Sequence, residues 1–161
     1  MDIKIVDYNK DFENDINIML NNQWNENFVH KTKIVGKVAH INNEFAGVCY
    51  GWKKKDWFYL ITLCVCVKYQ QCGVGTKLLK SFVDNIKQRF ASMGGGIKVY
   101  LLDNDGPGSN LPRAKKMFER LGFVFNKVIP NYFAKDNNFD YCPDCKHKPC
   151  ICSAWEYVLT F

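Results

Sequence analysis

Residues 70–75 read Gln-Gln-Cys-Gly-Val-Gly and stand between an apolar run at 57–67 and a helical pattern at 74–90. A strand that ends in a two-glycine turn and passes straight into a helix leaves several amide N–H groups without intrahelical partners, all at the positive end of the helix dipole. Such a nest binds an anion, most often a diphosphate. The glycines also have a purely steric reading, because a strand-to-helix turn uses glycine for its free φ whether or not a ligand follows. Gly75-Thr76-Lys77 is not the order that closes a Walker loop, and no third glycine falls in dinucleotide-binding register. The flanking segments therefore decide.

Downstream, Val74, Leu78, Leu79, Phe82, Val83, Ile86 and Phe90 keep one helical face, with Lys77, Lys80, Lys87 and Arg89 opposite. Upstream, the almost wholly apolar 57–67 reads as a central strand, and 33–41 with 44–52 reads as a hairpin about Asn42-Asn43. Residues 1–8 alternate as a short strand, Asp11 opens a helix carrying Phe12, Ile16, Met19 and Leu20, and 21–31 is a loop or second short helix. After Gly94-Gly95-Gly96 come a strand at 97–102, a turn-rich loop at 103–110, a short helix at 112–121 stopped by Gly122, and strands at 123–133 and 154–161. The order β-α(α)-β-β-β-α-β-α-β-β predicts a mixed α/β (α+β layer) fold, a central mixed sheet with helices on both faces. A glycine turn leaving its central strand stands where open sheets place ligands.

The 161 residues, 47% hydrophobic and 24% charged, predict a single domain, 1–161, with a full core. No apolar run reaches the roughly 18 residues of a membrane span, and the start Met1-Asp2-Ile3-Lys4-Ile5 lacks the progression of a signal peptide. A cytoplasmic protein without a membrane partner is expected. The formal charge of +6 would suit nucleic acid, but the lysines are dispersed and the tight run Lys53-Lys54-Lys55 reads as a solvated turn. Cys49, Cys64, Cys66 and Cys72 sit in or beside apolar strand patterns and read as small buried hydrophobes.

The strand carrying Leu63, Cys64 and Val65, the Q-x-x-G-x-G of Gln70, Gly73 and Gly75, and the later Ala114 to Phe123 stretch A-K-K-M-F-E-R-L-G-F together resemble the GNAT superfamily of acyl-CoA-dependent N-acetyltransferases. The resemblance covers most of the chain. It implies that the turn amides of Gln71, Cys72, Gly73, Val74, Gly75 and Thr76 hold the pyrophosphate of acetyl-CoA, with Gln70 opening the motif. The edge of Leu63, Cys64 and Val65 would pair with the pantetheine arm, and the Val65 N–H would polarise the thioester carbonyl. A fixed donor there suits the oxyanion that forms when an amine attacks a thioester.

Two departures from the family pattern concern catalysis. Phe118 stands where many members place a tyrosine whose hydroxyl can protonate the departing thiolate; it keeps a ring beside the cofactor and loses the proton, which leaves Tyr69 or Tyr132 as substitute donors. Tyr59 occupies the position aligned with the usual carboxylate base, and Asp103 is the nearest acid in sequence. Without an obvious base, an α-amine, with a pKa of about 7.8 against about 10.4 for lysine, is the easier acceptor. Asn131-Tyr132-Phe133 also resembles the Asn-Tyr-Tyr of protein N-terminal acetyltransferases, which marks Tyr132 for substrate binding; the bland reading is two packing aromatics. The acceptor is thus a primary amine, on a small molecule or a protein N-terminus, and oligomeric state, a homodimer included, stays open.

Cys142, Cys145, Cys150 and Cys152, spaced C-x2-C-x4-C-x-C, lie in an insertion at about 134–153 between the last two strands. In a cytoplasmic setting that spacing suits structural, tetrahedral zinc, with disulfides or loose thiols as the alternative and His147 as a substitute ligand. Two competing functions remain. A catalytically weak acyl-CoA sensor follows from Phe118 and the missing base, and a nucleic-acid-binding zinc knuckle follows from the flanking lysines.

Overall fold

The structure is a computed structural model that describes residues 2–24, 27–28, 33–102, 114–132 and 150–161. The chain divides into two compact units, residues 1–97 with Phe161, and residues 98–160. No described helix is long and apolar enough to cross a membrane.

The first unit contains β1 (Ile3–Asp7), α1 (Glu13–Trp24), β2 (Val35–Ile41), β3 (Glu44–Lys54), β4 (Trp57–Val65) and α2 (Val74–Phe90). Its four strands pair antiparallel in chain order. The Asn42-Asn43 turn forms as its sequence predicts, both residues having the positive φ that a tight hairpin needs and asparagine tolerates. Asn9, rather than Asp11, caps the entry to α1: its side chain accepts from the Asp11 N–H at 2.8 Å, and a 3-10 turn at Lys10–Phe12 precedes the helix. The helix then continues to Trp24, absorbing the start of the expected loop.

The two long helices cover opposite faces. Ile16, Met19 and Leu20 of α1 pack with Val38, Val48, Tyr50 and Cys64. On the other face, Phe82 of α2 meets the Phe58 ring edge-on at 6.2 Å, and Leu78 reaches Gly47. The helical face read from the sequence is the buried one, since Val74, Leu78, Leu79, Phe82, Val83 and Ile86 are all buried.

Strand β4 is not continuous. Tyr50 opposes Thr62, but the next residue Gly51 opposes Leu60, so Ile61 is an extra residue in β4. Directly opposed residues share a face. Trp52 and Tyr50 both belong to the cluster under α1, so their partners Tyr59 and Thr62 face α1, while Leu63, opposite Cys49, faces away. The bulge turns Tyr59 to the side opposite Leu63, although four residues of simple alternation would have put both on one side. Gly51 permits this, because a Cβ there would lie 2.0 Å from the Tyr59 carbonyl oxygen.

The second unit contains most of β5 (Gly96–Leu102), which crosses the unit boundary, with α3 (Lys115–Arg120), β6 (Val124–Ile129) and β7 (Ala154–Thr160), the strands ordered β5-β7-β6. Gly122, at φ 88°, ends α3. Its N–H donates to the Glu119 carbonyl and that of Phe123 to the Phe118 carbonyl, the paired bonds of a Schellman cap. Strand β6 stops at Ile129 and not at 133: Asn131 has φ 53°, so Tyr132 lies in a turn. Together the units hold seven strands and three α-helices among the described residues, in the element order and class the sequence predicts.

Candidate active site

The Val67–Tyr69 stretch forms a 3-10 turn in which the Gln70 N–H donates to the Val67 carbonyl, and Gln71 (φ 60°) and Gly73 (φ 80°) then take left-handed conformations that swing the chain into α2. Gly73 caps the helix without a side-chain bond, and no acidic residue stands in the first turn. The opening amides of α2 therefore have neither an intrahelical acceptor nor a built-in anion. Among the described residues beyond the adjoining chain, a Cβ at Gly73 would meet nothing within 4 Å, and the space over the turn is open there. Cys72 is exposed here and is not a core residue, whereas Cys49 and Cys64 are buried and Cys66 half-buried.

Two contacts fix the approach to this turn. Glu44, at the start of β3, accepts from the Lys68 ammonium and, at 2.6 Å, from the Tyr69 hydroxyl. The Lys68 bond, then that of Tyr69, holds the Glu44 carboxyl below its ordinary range. Tyr69 is thereby committed to Glu44 and is not placed as a proton donor to a thiolate. At the end of β4, the Cys66 N–H donates to the Ala46 carbonyl at 2.9 Å. Because successive strand residues turn their backbone groups to alternate edges, the Val65 N–H and C=O point to the edge away from β3. The Val65 carbonyl accepts two side-chain amides, Gln23 Nε2 from α1 and Gln70 Nε2, each at 3.1 Å. Gln70 Nε2 also donates to Gln23 Oε1 at 3.3 Å, closing a triangle. The Gln70 side chain thus turns back onto the strand.

In the second unit, Phe118 is 1% exposed and meets Phe123 edge-on at 5.1 Å. The ring expected beside a cofactor is a core ring of its unit. The Tyr132 ring stacks on Tyr100 at 4.7 Å and 23°. Behind that pair is a group the sequence reading missed: Glu156, 2% exposed, accepts from Asn126 and Tyr100, with Lys98 Nζ at 4.0 Å. Burial alone would raise its carboxyl, but the Asn126 and Tyr100 bonds and the charges of Lys98 and Lys127 outweigh it and lower the pKa. Asn126 is itself the extra residue of a β6 bulge, between the pairs Phe125 with Tyr157 and Lys127 with Glu156. A lone glutamate in an apolar strand carried the only signal in the sequence.

Asp103, Cys142, Cys145 and His147 lie outside the described residues. Among the described residues no three His, Cys, Asp or Glu side chains gather as a metal site.

The sequence matches the profile of the acetyltransferase (GNAT) domain over residues 27–125. The chain belongs to the GNAT acetyltransferase family. That span holds the whole of β4, the glycine turn, α2 and the Gly122 stop. A comparison with curated protein sequences finds no match. Solved structures share the GNAT fold at low identity. The ribosomal-protein-S18-alanine N-acetyltransferase from Escherichia coli superposes with TM-score 0.76 at 14% identity, over 99% of this chain and 94% of its own. Arabidopsis thaliana NAA60 in complex with acetyl-CoA gives 0.73 at 11%, over 99% of each chain. Arabidopsis thaliana Naa50 in complex with the bisubstrate analogue CoA-Ac-MVNAL gives 0.68 at 18%, over 100% of both.

Proposed function

We propose that this GNAT protein transfers the acetyl group of acetyl-CoA to a primary amine by direct attack on the thioester. The observation that carries the reading is the turn at 70–75, where left-handed Gln71 and Gly73 aim the unpaired amides of α2 at open space with no acid beside them. Backbone from Gln71 to Thr76 holds the pyrophosphate, and the outer edge of Leu63, Cys64 and Val65 takes the pantetheine arm as an added strand. The Val65 N–H donates to the thioester carbonyl. Attack forms the C–N bond and places negative charge on that oxygen, which the fixed donor stabilises. Collapse breaks the C–S bond and expels the CoA thiolate. Phe118 has no proton to give, but a thiol of pKa about 8.5 leaves tolerably as its anion near neutral pH.

Tyr59 and Asp103 are assigned to the amine's proton. Tyr59 lies on the α1 face of β4, across the strand from Leu63. An α-amine at pH 7 is roughly a tenth neutral and a lysine side chain about one part in a thousand or less. That difference favours a protein N-terminus. Alanine of a ribosomal protein and the peptide MVNAL, named for the Escherichia coli and Naa50 structures, are acceptors of that type. Tyr132, stacked on Tyr100, is assigned to hold such a peptide. Calorimetry with acetyl-CoA, followed by thiol release with a panel of N-terminal peptides and small amines, is the test. Micromolar binding with turnover is expected. No binding removes the reading, and binding without turnover on any amine leaves the acyl-CoA sensor instead.

A second reading concerns the cysteine loop. The Cys152 N–H donates to Cys150 Sγ at 3.4 Å, the bond that stabilises a thiolate held for a metal, and Cys152 is buried. We infer a structural zinc on Cys142, Cys145, Cys150 and Cys152, with no open position for chemistry, since four thiolates fill a tetrahedral site. Elemental analysis of protein purified under reducing conditions without added metal is expected to give about one zinc per chain by this ligand count. A ratio near zero ends the proposal.

A further inference from the structure

We infer that Gln23, on the last turn of α1, is a positioning residue for the thioester carbonyl; this rests on the acetyl-CoA reading of β4. The Val65 N–H and C=O leave the strand on the same edge, so a donor assigned to the thioester stands beside an acceptor whose negative end faces the same space. An oxyanion forming at Val65 would meet that dipole unless something covered it. The Gln23 and Gln70 amides cover it with two N–H donors, filling both lone pairs. The third bond, from Gln70 to Gln23, leaves neither carboxamide free to rotate away.

The triangle also sets the backbone. The peptide between Val65 and Cys66 is held at both ends, its carbonyl by the two glutamines and its N–H by the Ala46 carbonyl. That fixes where β4 stops, and so the aim of the preceding Val65 N–H. Gln70 belongs to the glycine-turn motif, whereas Gln23 comes from 47 residues earlier, on the last turn of α1.

The test is Gln23→Met, which keeps length and helix propensity and removes the amide, read by calorimetry against acetyl-CoA and against CoA. CoA has no thioester carbonyl. The variant is expected to bind acetyl-CoA about five- to tenfold more weakly, the loss of one hydrogen bond's contribution, with CoA affinity changed by less than about twofold. The infrared band of the 13C-labelled thioester carbonyl, shifted to lower wavenumber on wild-type protein, is expected to move back toward its free position. Equal affinities for both ligands in wild type and variant, or an equal loss of both, overturns the inference. Should Gln23→Met misfold, Gln23→Leu gives the same comparison. If wild-type protein binds neither ligand, the acetyl-CoA reading itself has failed.

Discussion

Gly73→Val is expected to abolish acetyl-CoA binding while leaving a folded protein. Gly73 sits at φ 80°, ψ 0°, where an L-residue costs about 1–2 kcal/mol and a β-branched one more. Among the described residues beyond the adjoining chain, no atom lies within 4 Å of a Cβ built there, so the loss expected is that strain. At about 2–4 °C per kcal/mol for a chain of this size, melting should fall by a few degrees. The isopropyl group would instead stand in the open space over the amides, where the pyrophosphate is assigned. A loss of affinity of about 100-fold or more is expected, because several charge-assisted bonds are blocked together. Gly73→Ala, bearing strain and a smaller obstruction, should lose less. Calorimetry and a thermal melt on the same samples separate the effects, and wild-type affinity in the valine variant would sink the anion nest.

The second large effect is expected at Gly51→Ala. The added methyl would lie 2.0 Å from the Tyr59 carbonyl oxygen and 3.0 Å from Leu60 Cα. Both are backbone, so the strand itself must move. Overpacking of this kind costs about 1–3 kcal/mol and occasionally more, and a contact this short belongs at the upper end. A melting decrease of about 6–12 °C follows from about 3 kcal/mol. Turnover should fall further than acetyl-CoA affinity, because the displaced segment carries Tyr59, which we assign to the amine's proton, while the turn at 70–75 lies beyond the bulge. Kinetics below the lowered melting temperature, with acetyl-CoA affinity measured alongside, make the comparison. Parallel losses of affinity and turnover would mean that Ile61 does not insulate the two halves of β4.

The glycine turn, the period of α2 and the Asn42-Asn43 hairpin were legible because each is written locally, in φ-permissive residues or a 3.6-residue repeat. The bulge at Ile61 was not. In a stretch as uniformly apolar as residues 57–67 a slipped register changes no polarity, so there is no alternation to break. Gly51 was the available signal, since glycine inside a strand marks a close backbone approach. Tyr132 was placed on a strand because the whole of 123–133 was read as extended, whereas Asn131 takes a positive φ. Gln23, Gln70 and Glu156 act through partners far away in sequence, and composition gives no hint of such pairings. Phe118 stands four residues before the Gly122 stop as read, yet its burial, 1% exposed against Phe123, is a matter of packing that its position in the motif does not state.

The outward edge of Val65 has a consequence for how such a chain can diverge. On the assignment proposed above, its N–H exists whatever side chain the residue bears, so drift at Leu63, Cys64 or Val65 would be filtered by packing and scarcely by chemistry. Mutational scanning across β3 and β4 should therefore read as two regimes, permissive for size-matched residues at 63–65 and strict at Gly51, where a Cβ meets the Tyr59 carbonyl.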